Sequence, residues 1–244
     1  MLALDVTRDD SVAAAVAELL QREGRIDVLV NNAGFGVAPA GAEESTIAQA
    51  QSIFDTNFFG IVRMTRAVVP QMRRQGSGHI INIGSVLGLL PMPYGALYSA
   101  TKHAVEGYSE SLDHELRTRG IRVSVVEPAF TRTAFDANVV EPDAMLDEYS
   151  GNRAALNAFL QGAIARGDDP AVVAEVVLKA ISAAHPKRRY AAGSLAGRLS
   201  LLRRFAPAAE DFVTFFRIHD WPLFCSARRA RRASASAIWR LTSS

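Results

Sequence analysis

Tyr98-Ser99-Ala100-Thr101-Lys102 puts a phenol and an ammonium four residues apart. On a helix, residues i and i+4 share a face, so the two groups reach one site. Only three lysines (Lys102, Lys179, Lys187) occur among the 27 basic residues, the rest being arginine. A lysine here is therefore a selective choice, because its compact ammonium with three donors is not reproduced by a guanidinium. A neighbouring ammonium stabilises phenolate and is expected to lower the Tyr98 pKa from its reference of about 10. A phenol titrating nearer neutrality exchanges a proton with an alcohol or a carbonyl oxygen. The plainer alternative is a half-buried tyrosine with the lysine stem running past it.

Ser85 follows the apolar run His79-Ile80-Ile81-Asn82-Ile83 and Gly84. That is the carboxyl end of a predicted strand, where open α/β sheets place their ligands. There a hydroxyl can hold a reacting oxygen, or simply cap a turn. Asn31-Asn32-Ala33-Gly34 follows a second strand, and such residues commonly make a turn. Asn57 lies mid-helix on an apolar stripe between Phe54 and Phe58, where a buried amide needs partners. The five histidines (His79, His103, His114, His185, His219) show no ligand spacing, so no metal site is expected.

These groups must be positioned by regular elements. Residues 26–30, 79–83 and 121–126 are short, β-branched runs that predict buried parallel strands, and 189–192 predicts a fourth. Between them lie helical stripes over 9–23, 45–74, 97–119 and 169–184. The last opens on Asp169-Pro170, an N-cap followed by proline at the first helical position. Strands alternating with helices predict βαβ crossovers and a doubly wound, mostly parallel α/β sheet. The 244 residues suit one such domain.

Composition excludes other classes. Hydrophobic residues make up 49% of the chain and the net charge is only +2, which does not fit intrinsic disorder. One cysteine, Cys225, excludes a disulfide scaffold. No apolar run reaches the roughly 18 residues of a membrane span. The start has no basic region followed by an apolar run, so a cytoplasmic location is expected. Charge is uneven: residues 1–150 carry net −7 and residues 151–244 net +9. The basic run Arg228–Arg232 lacks interleaved aromatics and a recognition motif, so nucleic acid is not expected as a partner.

Taken together, Asn31-Asn32-Ala33-Gly34, Asn57, Ser85, Tyr98 and Lys102 occur in an order that resembles the short-chain dehydrogenase/reductase family. Asp5-Val6, Gly76-x-Gly78 and Glu127-Pro128 add to the likeness, which covers about residues 3–205. The stretch from Gly84 to Leu112 looks most like the hydroxysteroid and retinol dehydrogenase branch. The resemblance implies a Rossmann-like fold and an NAD- or NADP-dependent oxidoreductase. It would interconvert a lipophilic alcohol and its ketone or aldehyde by hydride transfer. It implies Tyr98 as acid/base, Lys102 as its partner and ribose ligand, Ser85 on the substrate oxygen, and Asn57 anchoring a water toward Lys102. It implies Asp5 and Val6 near adenine, Asn31, Ala33 and Gly34 along the cofactor cleft, and Pro128 and Thr133 near the nicotinamide. It also implies a homo-oligomer through helices 45–74 and 97–119.

Three departures stand out. Among these residues there is no Thr-Gly-x-x-x-Gly-x-Gly turn to seat the pyrophosphate, and Leu2–Asp5 matches the family's third strand. The family's strand order, 3-2-1-4-5-6-7, then leaves segment 1–5 without a neighbour and exposes an edge. The chain thus reads as an N-terminally truncated member, with weak cofactor binding expected. A catalytically inactive paralogue unable to bind the dinucleotide is the alternative. Second, Ala129 stands where the family usually has glycine. Third, residues 207–244 form a basic tail beyond an incomplete dinucleotide-binding domain over 1–206. Residues 134–168, with Phe135, Met145, Leu146, Tyr149, Leu156, Phe159 and Leu160, predict an apolar substrate lid.

Overall fold

A computed structural model of the chain describes residues 2–133, 135 and 138–205. The tail over 207–244 lies outside the described residues. Four parallel strands pair in chain order: β1 (Val28–Asn31), β2 (Gly78–Ile83), β3 (Ile121–Pro128) and β4 (Arg189–Ala192). The register puts Asn31 opposite Asn82, Ile83 opposite Val126, and Pro128 opposite Ala192. All strands therefore finish at one edge.

Helices α1 (Asp9–Glu23), α3 (Gly60–Gln75) and α4 (Ala96–Leu116) cover one face. Val12, Val16, Met64, Val68 and Leu112 pack there against Leu29, Ile80, Ile121 and Val123. Burial of this apolar surface is the main driving force for the layer. Helix α6 (Pro170–Ile181) starts as the sequence predicts, with the Asp169 carboxylate accepting from the Ala171 amide. It lies on the opposite face, where Val173, Val176, Val177 and Ala180 meet Val126, Tyr190 and Ile81. That helix contacts β3 and β4, and Val30 on β1 remains 41% exposed.

Three expectations are corrected. Leu2–Asp5 forms no strand and pairs with none of the four, and Leu4 is exposed. With no strand beyond β1 among the described residues, its backbone has no ladder to join. The predicted helix over 45–74 is three pieces: α2 (Ile47–Phe54), a π-turn (Asp55–Phe59) and α3. The stripe continues through the π-turn, which is why periodicity alone does not reveal it. Finally, a helix α7 (Ser194–Phe205) follows β4, unannounced by any clear stripe. It covers the turn after β2 through Ala196 and Leu199. Within 134–168 the structure has α5 (Ser150–Ala165), with Leu156 fully buried beneath it. No helix among the described residues is long and apolar enough to cross a membrane.

Candidate active site

The carboxyl edge of the sheet gathers the predicted residues. Ser85 is two positions beyond β2, with extended backbone, and its Oγ accepts from the Leu87 amide at 3.1 Å. That caps a short 3-10 turn over Val86–Gly88. The Ser85 hydroxyl lies near enough to the Tyr98 phenol to oppose the effect of burial on it. Tyr98 stands in the first turn of α4, and its ring meets the Phe135 ring at 5.8 Å between centroids. Lys102, one turn on, is buried and donates from Nζ to the Ile83 carbonyl at 2.9 Å. The ammonium lies 5.5 Å from the centre of the Tyr98 ring.

Sequence reasoning expects Lys102 to lower the Tyr98 pKa. The structure reverses this. Burial pushes the phenol up, only partly offset by the Ser85 hydroxyl. The ammonium faces the ring rather than the hydroxyl. Burial also lowers Lys102 itself, to about 8, against the opposing pull of Glu106.

Asn57 is 1% exposed and sits in the π-turn. Its Oδ1 accepts from the Phe35 amide at 3.0 Å, and its Nδ2 donates to the Phe35 carbonyl at 2.8 Å. Nδ2 also reaches Thr101 Oγ1 at 3.3 Å, and that hydroxyl donates to the Tyr98 carbonyl. The side chain thus ties the loop after β1 to the helix that carries Tyr98. A β-carbon on Gly34 would lie 3.0 Å from Asn57 Oδ1, so this approach suits glycine.

Other residues are placed less directly. The Asn31 side chain turns under α4, donating to Asn82 Oδ1 at 2.8 Å, so the strand end offers only its backbone to the cleft. Ala33 is exposed and Gly34 half-buried beside Asn57. Asp5 accepts from the amide and hydroxyl of Thr7, which hold its carboxyl below the usual range. Val6 packs against Gly60, directly after the π-turn. Pro128 ends β3, and the Thr133 hydroxyl accepts from the Phe135 amide.

The sequence does not show how the segment over residues 138–165 is fastened to the loop after β1. Glu44 is fully buried and accepts from the amides of Gly41 at 2.6 Å and Leu146 at 2.8 Å. Arg153 of α5 completes an ion pair with it. Asn152 donates to the Tyr94 hydroxyl, and Tyr94 has a left-handed φ of 58°. A side chain in that region signals local strain held by its surroundings. No spacing in the sequence links residues so distant in the chain.

Residues 1–144 match the family model described as short chain dehydrogenase. The chain is 36% identical to a 3-ketodihydrosphingosine reductase from Bacteroides thetaiotaomicron, covering 80% of this chain and 73% of that protein. It is 35% identical to retinol dehydrogenase 8 from Bos taurus, covering 90% and 72%. A solved short chain dehydrogenase/reductase from Burkholderia phymatum, in complex with NAD, is similar in structure. Its TM-score is 0.68 at 31% identity, over 82% of this chain and 73% of that one.

Proposed function

Because the chain belongs to the short-chain dehydrogenase family of oxidoreductases, we propose that it uses NAD or NADP to interconvert a lipophilic alcohol and its carbonyl compound. The observation that carries this reading is Lys102, buried and bonded to the Ile83 carbonyl, held 5.5 Å from the centre of the Tyr98 ring beside Ser85. Names of the similar proteins support the substrate class, since ketodihydrosphingosine and retinol are both largely apolar.

The residues present fit the nicotinamide end of such a cofactor. One of the three protons of the Lys102 ammonium is taken by Ile83, and the others suit a ribose diol. Gly34, Pro128 and Thr133 would border the ring, and Asp5 and Val6 the adenine. When bound, the dinucleotide supplies the hydride. The protein's own work is orientation and proton transfer. Ser85 holds the substrate oxygen beside Tyr98. In the reductive direction the Tyr98 phenol gives its proton to the carbonyl oxygen, and in the oxidative direction the phenolate takes it back. With its side chain committed to Phe35, Asn57 serves by positioning the loop and α4; a water directed at Lys102 would rest on its main chain.

The lid over residues 138–165 supplies an apolar cover, with Phe135 capping Tyr98. A homo-oligomer would bury the exposed Ile47 and Phe59 on the α2 and π-turn surface. A second reading, a catalytically inactive chain, rests on the open edge of β1 and the exposed Val30. Titration with NADH and NADPH, followed by a screen of long-chain and ring ketones, separates the two. Micromolar binding with turnover lost in Tyr98→Phe supports the enzyme; absence of binding supports the second reading.

A further inference from the structure

Glu127 on β3 is 1% exposed, and neither carboxylate oxygen has a hydrogen-bond partner. Glu106 lies one helical turn beyond Lys102 on α4 and is 5% exposed. Its Oε2 accepts from Arg189 Nε at 2.9 Å, while Oε1 has no partner. The same Nε is 3.5 Å from Glu127 Oε1. A single N–H, with one hydrogen, therefore faces two buried carboxyl groups. The rest of Arg189 is spent on Glu110, at 3.1 Å from Nη2. The site is built around Glu106: a β-carbon on Gly84 would lie 3.1 Å from its Oε1, and one on Gly88 3.0 Å from its Cγ. Those two glycines flank the turn that carries Ser85.

We propose that Glu106 and Glu127 form a buried pair competing for Arg189 that positions Lys102, with Glu127 holding a proton and Glu106, one helical turn from Lys102, carrying the charge that acts on the ammonium. The inference rests on the role given to Lys102 above.

A buried carboxylate without donors is costly to ionise, and a second carboxylate beside it makes ionisation harder still. Glu127 is the member with no donor at all, so it takes the proton. Its carboxyl is pushed up to about 7, first by burial and then by the charge on Glu106, against the pull of Arg189. Glu106 is raised by burial too, but Arg189 and His103 oppose that. Lys102 in turn is supported in its charged form by Glu106. The other charges facing the pair are few. From α4 come Lys102, His103, Glu106 and Glu110, with His114 bonded to Arg188; from β4 come Arg188 and Arg189. Helix α7 meets this end with Ala196 and Leu199, while Arg198 and Arg203 are exposed. Among the described residues no cluster of three or more His, Cys, Asp and Glu is arranged to hold a metal.

When Glu127 ionises, it competes for Arg189. With Arg189 shared, the charge on Glu106 acts more strongly on Lys102 one turn away, and the ammonium is drawn away from Ile83 and the Tyr98 ring. The device thus couples a proton below the Ser85 turn to the position of the catalytic ammonium.

The test uses the 244-residue chain with selectively 13C-labelled lysine, which has only three resonances to assign. Below its own titration near pH 8, the Lys102 ε-carbon should show a separate inflection near pH 7, and Glu127→Gln should abolish that lower inflection while keeping the upper one. Infrared spectra should show a protonated carboxylic acid at pH 6 that is lost by pH 8 and missing in the variant. Between pH 6 and 8 NADH affinity should fall about tenfold more in the wild type than in Glu127→Gln, tenfold being about one pKa unit of coupling. A wild-type Lys102 resonance without the lower inflection, or one that keeps it in Glu127→Gln, overturns the proposal. The wild-type spectra decide the matter even if the variant fails to fold. They also decide it without cofactor, so a chain that binds no NADH would overturn the functional reading alone.

Discussion

Lys102 holds its ammonium 5.5 Å over the ring of Tyr98, bonded to the Ile83 carbonyl rather than to the phenol. A cation over an aromatic face is attracted to it, yet here the cation is also buried. Burial lowers Lys102 to about 8, so part of the folding free energy is lost to keeping it charged at neutral pH. Its ordinary value is higher, so the unfolded chain binds more protons between about 8 and 10.5. The group therefore destabilises the fold most below about pH 8, and less as pH rises through that window. Lys102→Met should stabilise the chain at pH 7, by an upper figure of about 3 kcal/mol. The same change should abolish turnover. Urea unfolding at pH 7 and an NADPH-coupled reduction assay would check the two halves; loss of stability would contradict the first.

Tyr98 itself should be dispensable for the fold. Its ring packs on Phe135, a contact that phenylalanine would reproduce. Tyr98→Phe should lower kcat by about 10³-fold or more, the scale of a lost positioned proton donor. Dinucleotide affinity should change little. A variant that still turns over would remove Tyr98 from its role.

Much of this was legible in the sequence, for a physical reason. Tyr98 and Lys102 share a helix face, and Ser85 ends a strand, so local periodicity predicts their meeting. The strands at β1 to β4 are short apolar runs whose burial leaves a one-dimensional trace. Asn57 was visible only as an anomaly on an apolar stripe. Its π-turn was not, because a single widened turn scarcely alters the stripe. Glu44 with Arg153, and Glu106 with Glu127 and Arg189, were invisible for a different reason. Their pairing depends on which loops and strands are brought together, and no spacing encodes that. The direction of the Tyr98 shift failed similarly, since burial outweighed a charge partner that spacing alone suggested.

The Asn57 clamp makes a separate prediction. Both ends of its amide bond the Phe35 backbone, and the site is buried. Asn57→Ala would leave the Phe35 amide and carbonyl without partners. A buried group stripped of its partner costs about 1–3 kcal/mol. We expect a loss in that range by urea unfolding, together with faster amide exchange at Phe35. Gly34→Ala should weaken the same clamp by pressing its methyl to 3.0 Å from Asn57 Oδ1.

The segment over residues 138–165 is anchored by a carboxylate that cannot be left alone. Glu44 is fully buried and receives two amides besides Arg153. Removing one partner of a buried ion pair typically costs about 3–5 kcal/mol, because the other charge stays uncompensated. Arg153→Met should therefore loosen α5 from the 36–46 loop. Limited proteolysis should cut first between residues 138 and 150, and KM for an apolar ketone should rise more than kcat falls. A proteolysis pattern like the wild type would show that the two amides suffice.

Folding stability should also carry the mark of Glu127. Its folded value of about 7 stands above its ordinary 4.5, so the folded chain holds an extra proton between those limits. Stability from this group is fully present below about pH 4.5 and is lost as pH rises through 7. The shift corresponds to at most about 3 kcal/mol. Glu106 is raised by burial and acts in the same direction as Glu127, and two further groups are shifted elsewhere in the chain. His79 is lowered by burial and by Arg122, so its contribution runs the opposite way and is lost as pH falls below 6.5. Asp113 resists its own burial through bonds from the Val123 amide and Arg122, and it weakens the fold only below about pH 3.8. The difference between wild type and Glu127→Gln removes both. That difference, read from urea midpoints, should favour the wild type most near pH 5 and shrink steadily to pH 8. A difference that is constant across this range would mean that Glu127 is ionised throughout and that its unpaired oxygens have found donors.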